Sequence, residues 1–188
     1  MLNLPNFLTL VRILTIPVFL EFLAYHWYWE ALVVFAVGGL TDFLDGFVAR
    51  RMNQQTALGA YLDPVADKLL VITSYIMLGV IEGIPMWLAL VVVIRDILIV
   101  IGYAIIYVLV VERLQVRPTR IGKWSTTLQL LTLAIALVML HDPKLLSAYV
   151  LDIFVWMTAL ATVVSGCQYL YRGLVWLQNQ APSISPPG

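Results

Sequence analysis

Four aspartates, Asp42, Asp45, Asp63 and Asp67, fall within 26 residues of a largely apolar stretch, and their spacing is helical. At 100° per residue, Asp42, Asp45, Gly46 and Ala49 lie within about 100° of arc on one helix face. Gly59, Asp63 and Asp67 follow one another at intervals of four and descend a single stripe of the next helix. Two carboxylate stripes joined by a short connection can face each other. Their oxygens are hard donors of the kind that Mg²⁺ takes, usually a few carboxylates together with substrate phosphates. A paired-metal site for diphosphate chemistry fits these donors best.

A carboxylate inside a membrane span costs about 2.5–3.5 kcal/mol on insertion scales, so four unpaired ones would cost on the order of 10 kcal/mol. Something must compensate them. One alternative is an ion-pair network at the membrane edge with Arg50, Arg51 and Lys68, but four acids exceed three bases and Gly46 and Gly59 then have no role. Under the metal reading, Gly46, Ala49 and Gly59 clear side chains from the site and permit close approach. The Arg50 fork can pair with a phosphate, and Lys68 adds a positive charge beside Asp67. Pro64 is expected in the first turns of its helix, where a missing amide hydrogen costs little. Arg95 and Asp96 admit two roles, a structural pair or groups that face a substrate. Glu21 is expected to snorkel or to pair inside the bundle, and His26 and His141 to be interfacial.

The chain that must position these groups has 188 residues, 62% apolar and 12% charged. A typical soluble domain carries about 25% charged residues, which excludes an ordinary soluble globule. With about 20 mostly apolar residues to a span, the composition suffices for about six helices and almost nothing else. Apolar runs between breakers place them near 7–24, 31–49, 58–81, 86–111, 121–140 and 148–176. The expected fold is an all-α membrane protein with six transmembrane helices, and 4–12 could form a short surface helix before the chain turns inward. Residues 1–180 form one membrane domain and 181–188, with three prolines, a disordered tail.

The connections alternate in charge. Arg50, Arg51, Arg113, Arg117, Arg120 and Lys123 mark one side, with Arg12 and Arg172 near the termini; Glu30, Glu82 and Asp142 mark the other. The positive-inside rule therefore puts both termini and the aspartates toward the cytosol. Trp27, Tyr28, Trp29 and Trp87 read as interfacial anchors. Zero net charge excludes a nucleic-acid binder that works by neutralising phosphates. The single cysteine, Cys167, excludes an intramolecular disulfide and a multi-cysteine zinc site, and is expected to act as a small apolar residue.

Written out, the acidic stretch is Asp42-x-x-Asp45-Gly46-x-x-Ala49-Arg50, eight residues, then Gly59-x-x-x-Asp63-x-x-x-Asp67. It resembles the complete motif of the CDP-alcohol phosphatidyltransferases, and the length and six-helix plan of the whole chain match that family too. The opening Leu4-Pro5-Asn6-Phe7-Leu8-Thr9-Leu10-Val11-Arg12, the segment Asp63-Pro64-Val65-Ala66-Asp67-Lys68, and Gly122-Lys123-Trp124-Ser125-Thr126 resemble the branch of phosphatidylglycerophosphate synthases and single-motif cardiolipin synthases. The resemblance implies a cytosol-facing pocket where CDP-diacylglycerol gives its phosphatidyl group to an alcohol and CMP leaves. It implies that Asp42, Asp45, Asp63 and Asp67 hold two Mg²⁺ or Mn²⁺ ions and that Asp67 also takes the acceptor's proton. Gly46, Ala49, Arg50 and Gly59 would cradle the cytidine and diphosphate, and the family often forms homodimers.

Glycerol 3-phosphate and phosphatidylglycerol are the candidate acceptors. A small acceptor with its own phosphate needs a fixed cationic site, which Arg113, Arg117, Arg120 and Lys123 could supply; alternatively they only orient helices and touch anionic lipid. That cluster puts glycerol 3-phosphate first, although Arg95-Asp96 looks closer to the cardiolipin synthases. Two other classes remain open: an intramembrane prenyltransferase, which also uses two aspartate-rich motifs and Mg²⁺, and a transporter with intramembrane carboxylates.

Overall fold

In the computed structural model, residues 4–39, 57–109 and 120–180 are described, with side chains over 11–39 except Arg12, 68–102, 120–175 and at Gln178. These residues are helices and short turns, with no strand among them. The helices are α1 (Leu4–Ala24), α2 (described over Tyr28–Gly39), α3 (Ala57–Val80), α4 (Met86–Leu109), α5 (Arg120–His141) and α6 (Ala148–Gln180).

One bound differs from expectation in a way the sequence explains. The first helix begins at Leu4, with Pro5 in the first turn where its fixed φ is already helical. Residues 4–12 are continuous with the rest of α1 and form no separate surface helix. Helix α3 starts at Ala57, one residue from the expected start, and Pro64 follows about two turns later. One intrahelical bond, to the carbonyl of residue 60, is therefore not made, a gap that helices in membranes tolerate when neighbouring groups supply partners.

An apolar core that includes Phe19, Leu23, Leu78 and Leu88 is combined in α5 with a buried face rich in small and polar residues. In α5 the buried residues are Gly122, Ser125, Gln129, Thr132, Leu133, Ala136 and Leu137, while Trp124, Leu130 and Leu131 face outward. Small and hydroxyl-bearing residues inside, with large apolar ones outside, suit lipid, where helices associate by close packing and hydrogen bonds rather than by hiding apolar area. Helices α5 and α6 are long and apolar enough to cross a membrane, yet only 33% and 28% of their apolar windows are buried. A core helix of a soluble protein would be mostly buried. Shorter apolar segments occupy Ile13–Ala24, Tyr28–Gly39 and Lys68–Val80.

Helix α3 is central, packing on α1, α4 and α5, while α6 closes the bundle against α4 and α5. Its stripe of Val71, Ser74, Tyr75 and Leu78 is buried at the i, i+3, i+4, i+7 spacing of one helix face. The Tyr75 hydroxyl donates to the Gln129 carbonyl across 2.9 Å and joins α3 to α5. Between α5 and α6, polar residues at 125, 129 and 132 meet others at 158 and 162: Ser125 and Thr162 hydroxyls lie 3.3 Å apart. Gln129 Nε2 donates to Thr162 Oγ1 at 3.2 Å, and Thr132 and Thr158 share a 2.7 Å bond.

Three turns gather at one end of the bundle. Trp29, after the α1–α2 turn, stacks on His141 at the end of α5, with ring centroids 5.4 Å apart. Gly83, in the α3–α4 turn, faces Leu140, whose Cδ1 lies 2.7 Å from where a β-carbon would sit. Exposed Trp27, Trp29, Trp87 and Trp156 ring this end, the last two in contact at 5.2 Å. Their exposure suits the aromatic belt of a membrane interface.

Helices α1 and α3 end alike. Trp27 N–H reaches the Phe22 carbonyl at 2.8 Å and His26 N–H the Leu23 carbonyl at 3.1 Å; Gly83 and Glu82 repeat the pattern on Leu78 and Gly79 at 2.8 and 3.4 Å. This is the Schellman arrangement, with the residue usually occupied by glycine in the left-handed region. Here His26 (φ 61°) and Glu82 (φ 59°) occupy it. Glu82→Gly should therefore stabilise the protein by about 0.5–1 kcal/mol, part of the left-handed penalty being offset by the freer unfolded chain. In detergent the unfolding midpoint should rise by a few degrees; a fall would contradict the strain assigned to Glu82.

Candidate active site

Asp63 and Asp67 both belong to α3, one helical turn apart, with Gly59 a further turn toward its start. From the helix start at Ala57 they lie about 9 and 15 Å along the axis. The expected single stripe of Gly59, Asp63 and Asp67 is thus realised in the backbone, while their side chains, like all of Asp42, Asp45, Gly46, Ala49 and Arg50, lie outside the described residues. Arg113 and Arg117 lie outside them as well. Arg120 and Lys123 open α5, three residues apart and both exposed, so they share a face of its first turn. Buried Gly122 lies between them.

No group of three or more His, Cys, Asp and Glu that could hold a metal occurs among the described residues. The fit to a divalent ion therefore rests on donor chemistry. Asp63 and Asp67 stand one turn apart on a continuous helix, and both are hard oxygen donors of the type Mg²⁺ and Mn²⁺ accept.

The best-defined chemistry lies immediately beside that stripe. Lys68, next after Asp67, places its ammonium 2.7 Å from Asp96 Oδ1 in α4. The same oxygen accepts from Arg95 NH1 at 2.6 Å. Arg95 NH2 donates to Ser165 Oγ of α6 at 2.6 Å, and the guanidinium carbon lies 5.9 Å from the Tyr169 ring centroid, within cation–π range. Asp96 is fully buried and Arg95 is 5% exposed. Of the two roles open to Arg95 and Asp96, the described contacts are those of a buried pair tied to Lys68 and Ser165. Asp96 Oδ2, Arg95 Nε and Gln168 Oε1 are buried with no hydrogen-bond partner.

The sequence marks Lys68 as a charge beside Asp67 and as a base available to nearby acids, but it gives no sign of the pairing with Asp96, 28 residues away. The polar seam of α5 and α6 is a second feature that sequence reasoning missed. Its signal was present, since 125, 129, 132 and 158, 162, 165 repeat the same i, i+4, i+7 spacing in otherwise apolar helices.

Comparison with known proteins bears on this arrangement. The model of the CDP-alcohol phosphatidyltransferase family matches residues 2–165. A CDP-diacylglycerol–glycerol-3-phosphate 3-phosphatidyltransferase of Pseudomonas fluorescens is 48% identical over 92 residues, about half of each chain (47% of both). The enzyme of the same name from Bacillus subtilis (strain 168) is 32% identical over 189 residues, 92% of this chain and 95% of the relative. A cardiolipin synthase (CMP-forming) / mitochondrial hydrolase fusion protein of Schizosaccharomyces pombe is 30% identical over 183 residues, 89% of this chain and 30% of its own length.

Proposed function

The chain belongs to the CDP-alcohol phosphatidyltransferase family, and from that membership we propose that it transfers the phosphatidyl group of CDP-diacylglycerol to glycerol 3-phosphate, forming phosphatidylglycerophosphate and CMP. The observation that carries this reading is the similarity over nearly the full length of both chains to the Bacillus enzyme named for that reaction. The product is a precursor of anionic phospholipid.

In this reaction the acceptor hydroxyl oxygen forms a bond to the phosphorus that bears diacylglycerol. The bridging P–O bond to CMP breaks, and the hydroxyl proton must be taken up. Asp67 is the group assigned to take it, as general base within reach of the acceptor. Asp42, Asp45, Asp63 and Asp67 would hold two Mg²⁺ or Mn²⁺ ions. When bound, such ions neutralise the diphosphate and make the hydroxyl more acidic. Gly46, Ala49 and Gly59 leave room for the nucleotide, and Arg50 pairs with its phosphates. No covalent intermediate with the protein is required, because both substrates are brought to the same carboxylates.

Arg113, Arg117, Arg120 and Lys123 are the groups proposed for the acceptor's phosphate. Desolvating that charge near four carboxylates requires fixed cations, and exposed Arg120 and Lys123 on the first turn of α5 are suited to it. The second reading, cardiolipin synthesis with phosphatidylglycerol as acceptor, is favoured by the fission-yeast relative. The purified enzyme in detergent, given labelled CDP-diacylglycerol, Mg²⁺ and each acceptor separately, discriminates between the two. Phosphatidylglycerophosphate is the expected product, and Lys123→Ala or Arg120→Ala should raise the KM for glycerol 3-phosphate by about 10-fold, the loss of one charge-assisted hydrogen bond. Cardiolipin as the only product would reverse the order.

As a membrane arrangement we propose six spans within one domain over 1–180, with both termini and the aspartates on the cytosolic side, and assembly as a homodimer. The gathering of the turns that carry Glu82 and Asp142 at one end, opposite the basic start of α5, supports the alternation of charge. A single cysteine at Arg117, in a Cys167→Ser background, should react with impermeant reagents only from the cytosol, and one at Glu82 only from outside. Labelling of both from one face would remove one span from the count.

A further inference from the structure

Resting on the reading of α3 as the helix that carries the catalytic carboxylates, we propose that Asp96 is a positioning residue for them. It fixes Lys68, and with it the turn of α3 that holds Asp67, against α4 and α6.

The contacts define a chain across three helices. Lys68 of α3 and Arg95 of α4 converge on one oxygen of Asp96, at 2.7 and 2.6 Å, and Arg95 passes the connection to Ser165 of α6. Lys68 is about 18 Å from the end of α3 at Val80, and Asp96 about 15 Å from the start of α4 at Met86. In two antiparallel helices joined by the turn at 81–85 those positions lie level with each other inside the bundle. Charges there are expensive and face the bundle interior.

Helix association alone does not account for this arrangement. A buried ion pair at best roughly breaks even against apolar packing of the same volume. This one also leaves Asp96 Oδ2 and Arg95 Nε without partners. Where the molecule joins α5 to α6 it uses neutral hydroxyl pairs, such as Thr132 with Thr158, which carry no charge into the span. Lys68, Arg95 and Asp96 together carry one surplus positive charge, and the acids that precede them along α3 are Asp67 and Asp63. Lys68 thus follows directly on the acidic stripe in the chain, and Asp96 reaches it from α4. Since Lys68 adjoins Asp67 in the chain, loss of the Asp96 contact loosens the turn of the proposed base, and a misplacement of about 1 Å can cost about 10²-fold in rate.

The test compares Asp96→Asn, Asp96→Glu, Lys68→Met and the double variant Lys68→Met/Asp96→Asn in detergent, with turnover expressed per folded molecule. Asp96→Asn should lower kcat at least 10-fold while the KM for CDP-diacylglycerol changes less than 3-fold. Asp96→Glu, which keeps the charge, should recover part of the loss. The double variant should be no slower than the slower single one, because both remove the same tether. A purely structural ion pair would instead lower the unfolding midpoint and leave kcat per folded molecule at the wild-type value, and that result overturns the proposal. If Asp96→Asn cannot be obtained folded, Lys68→Met carries the same prediction and refutation, since it leaves Arg95 paired with Asp96. Absence of wild-type CMP release would reject the enzymatic reading itself, whereas wild-type release with unaffected variants rejects only the role of Asp96.

Discussion

Asp67→Asn should abolish measurable turnover while leaving the binding of CDP-diacylglycerol largely intact. Asparagine preserves the shape of the side chain and one oxygen but cannot accept the proton of the acceptor hydroxyl. Removal of a general base typically costs 10²–10⁴-fold in rate, and because Asp67 is also one of the four carboxylates assigned to the metal ions, their weaker hold adds to the loss. Binding is spared because Asp42, Asp45 and Asp63 still supply carboxylates and Arg50 still meets the phosphates. Single-turnover CMP release, paired with binding of labelled CDP-diacylglycerol, separates the two effects. Near-normal turnover in the variant would remove Asp67 from the mechanism.

The second large effect is expected on the metal requirement. Asp42→Asn should raise the Mg²⁺ concentration for half-maximal activity by more than about 10-fold, since altering even the groups that merely orient metal ligands costs 10–100-fold in affinity. Part of the rate should return at high Mg²⁺, which distinguishes a lost ligand from a lost base. Mn²⁺ titration followed by electron paramagnetic resonance reads the same affinity without turnover. An unchanged titration would place Asp42 outside the metal shell.

The two expected outcomes differ because separable duties are proposed for the four aspartates, and the features that support the proposal are unevenly legible in the sequence. Helices were announced by apolar length, so every described helix corresponds to an expected one. Their ends were less plain: α6 runs to Gln180, about 50 Å in all, because nothing in 177–180 breaks a helix once the apolar run has ended. The i+4 series of Gly59, Asp63 and Asp67 needed only local periodicity and is a stripe of α3. What local periodicity cannot supply is the identity of neighbours. Lys68 and Asp96 meet because α3 and α4 pack antiparallel, and Arg95 meets Ser165 because α6 folds back on α4. From sequence alone, Arg95 and Asp96 could equally have faced a substrate. Pro64 was legible as well: the helix expected from about residue 58 starts at Ala57, with Pro64 in its first turns, where helices in membranes accommodate the missing bond.

The central claim is that this protein joins a CDP-linked lipid to an alcohol with release of CMP. The most direct measurement follows CMP from CDP-diacylglycerol by the purified wild-type protein, with Mg²⁺ and glycerol 3-phosphate each added or withheld. The account predicts CMP formation only when both are present, in equal amount to phosphatidylglycerophosphate. No CMP under any condition, or CMP released at the same rate without an acceptor, would contradict it.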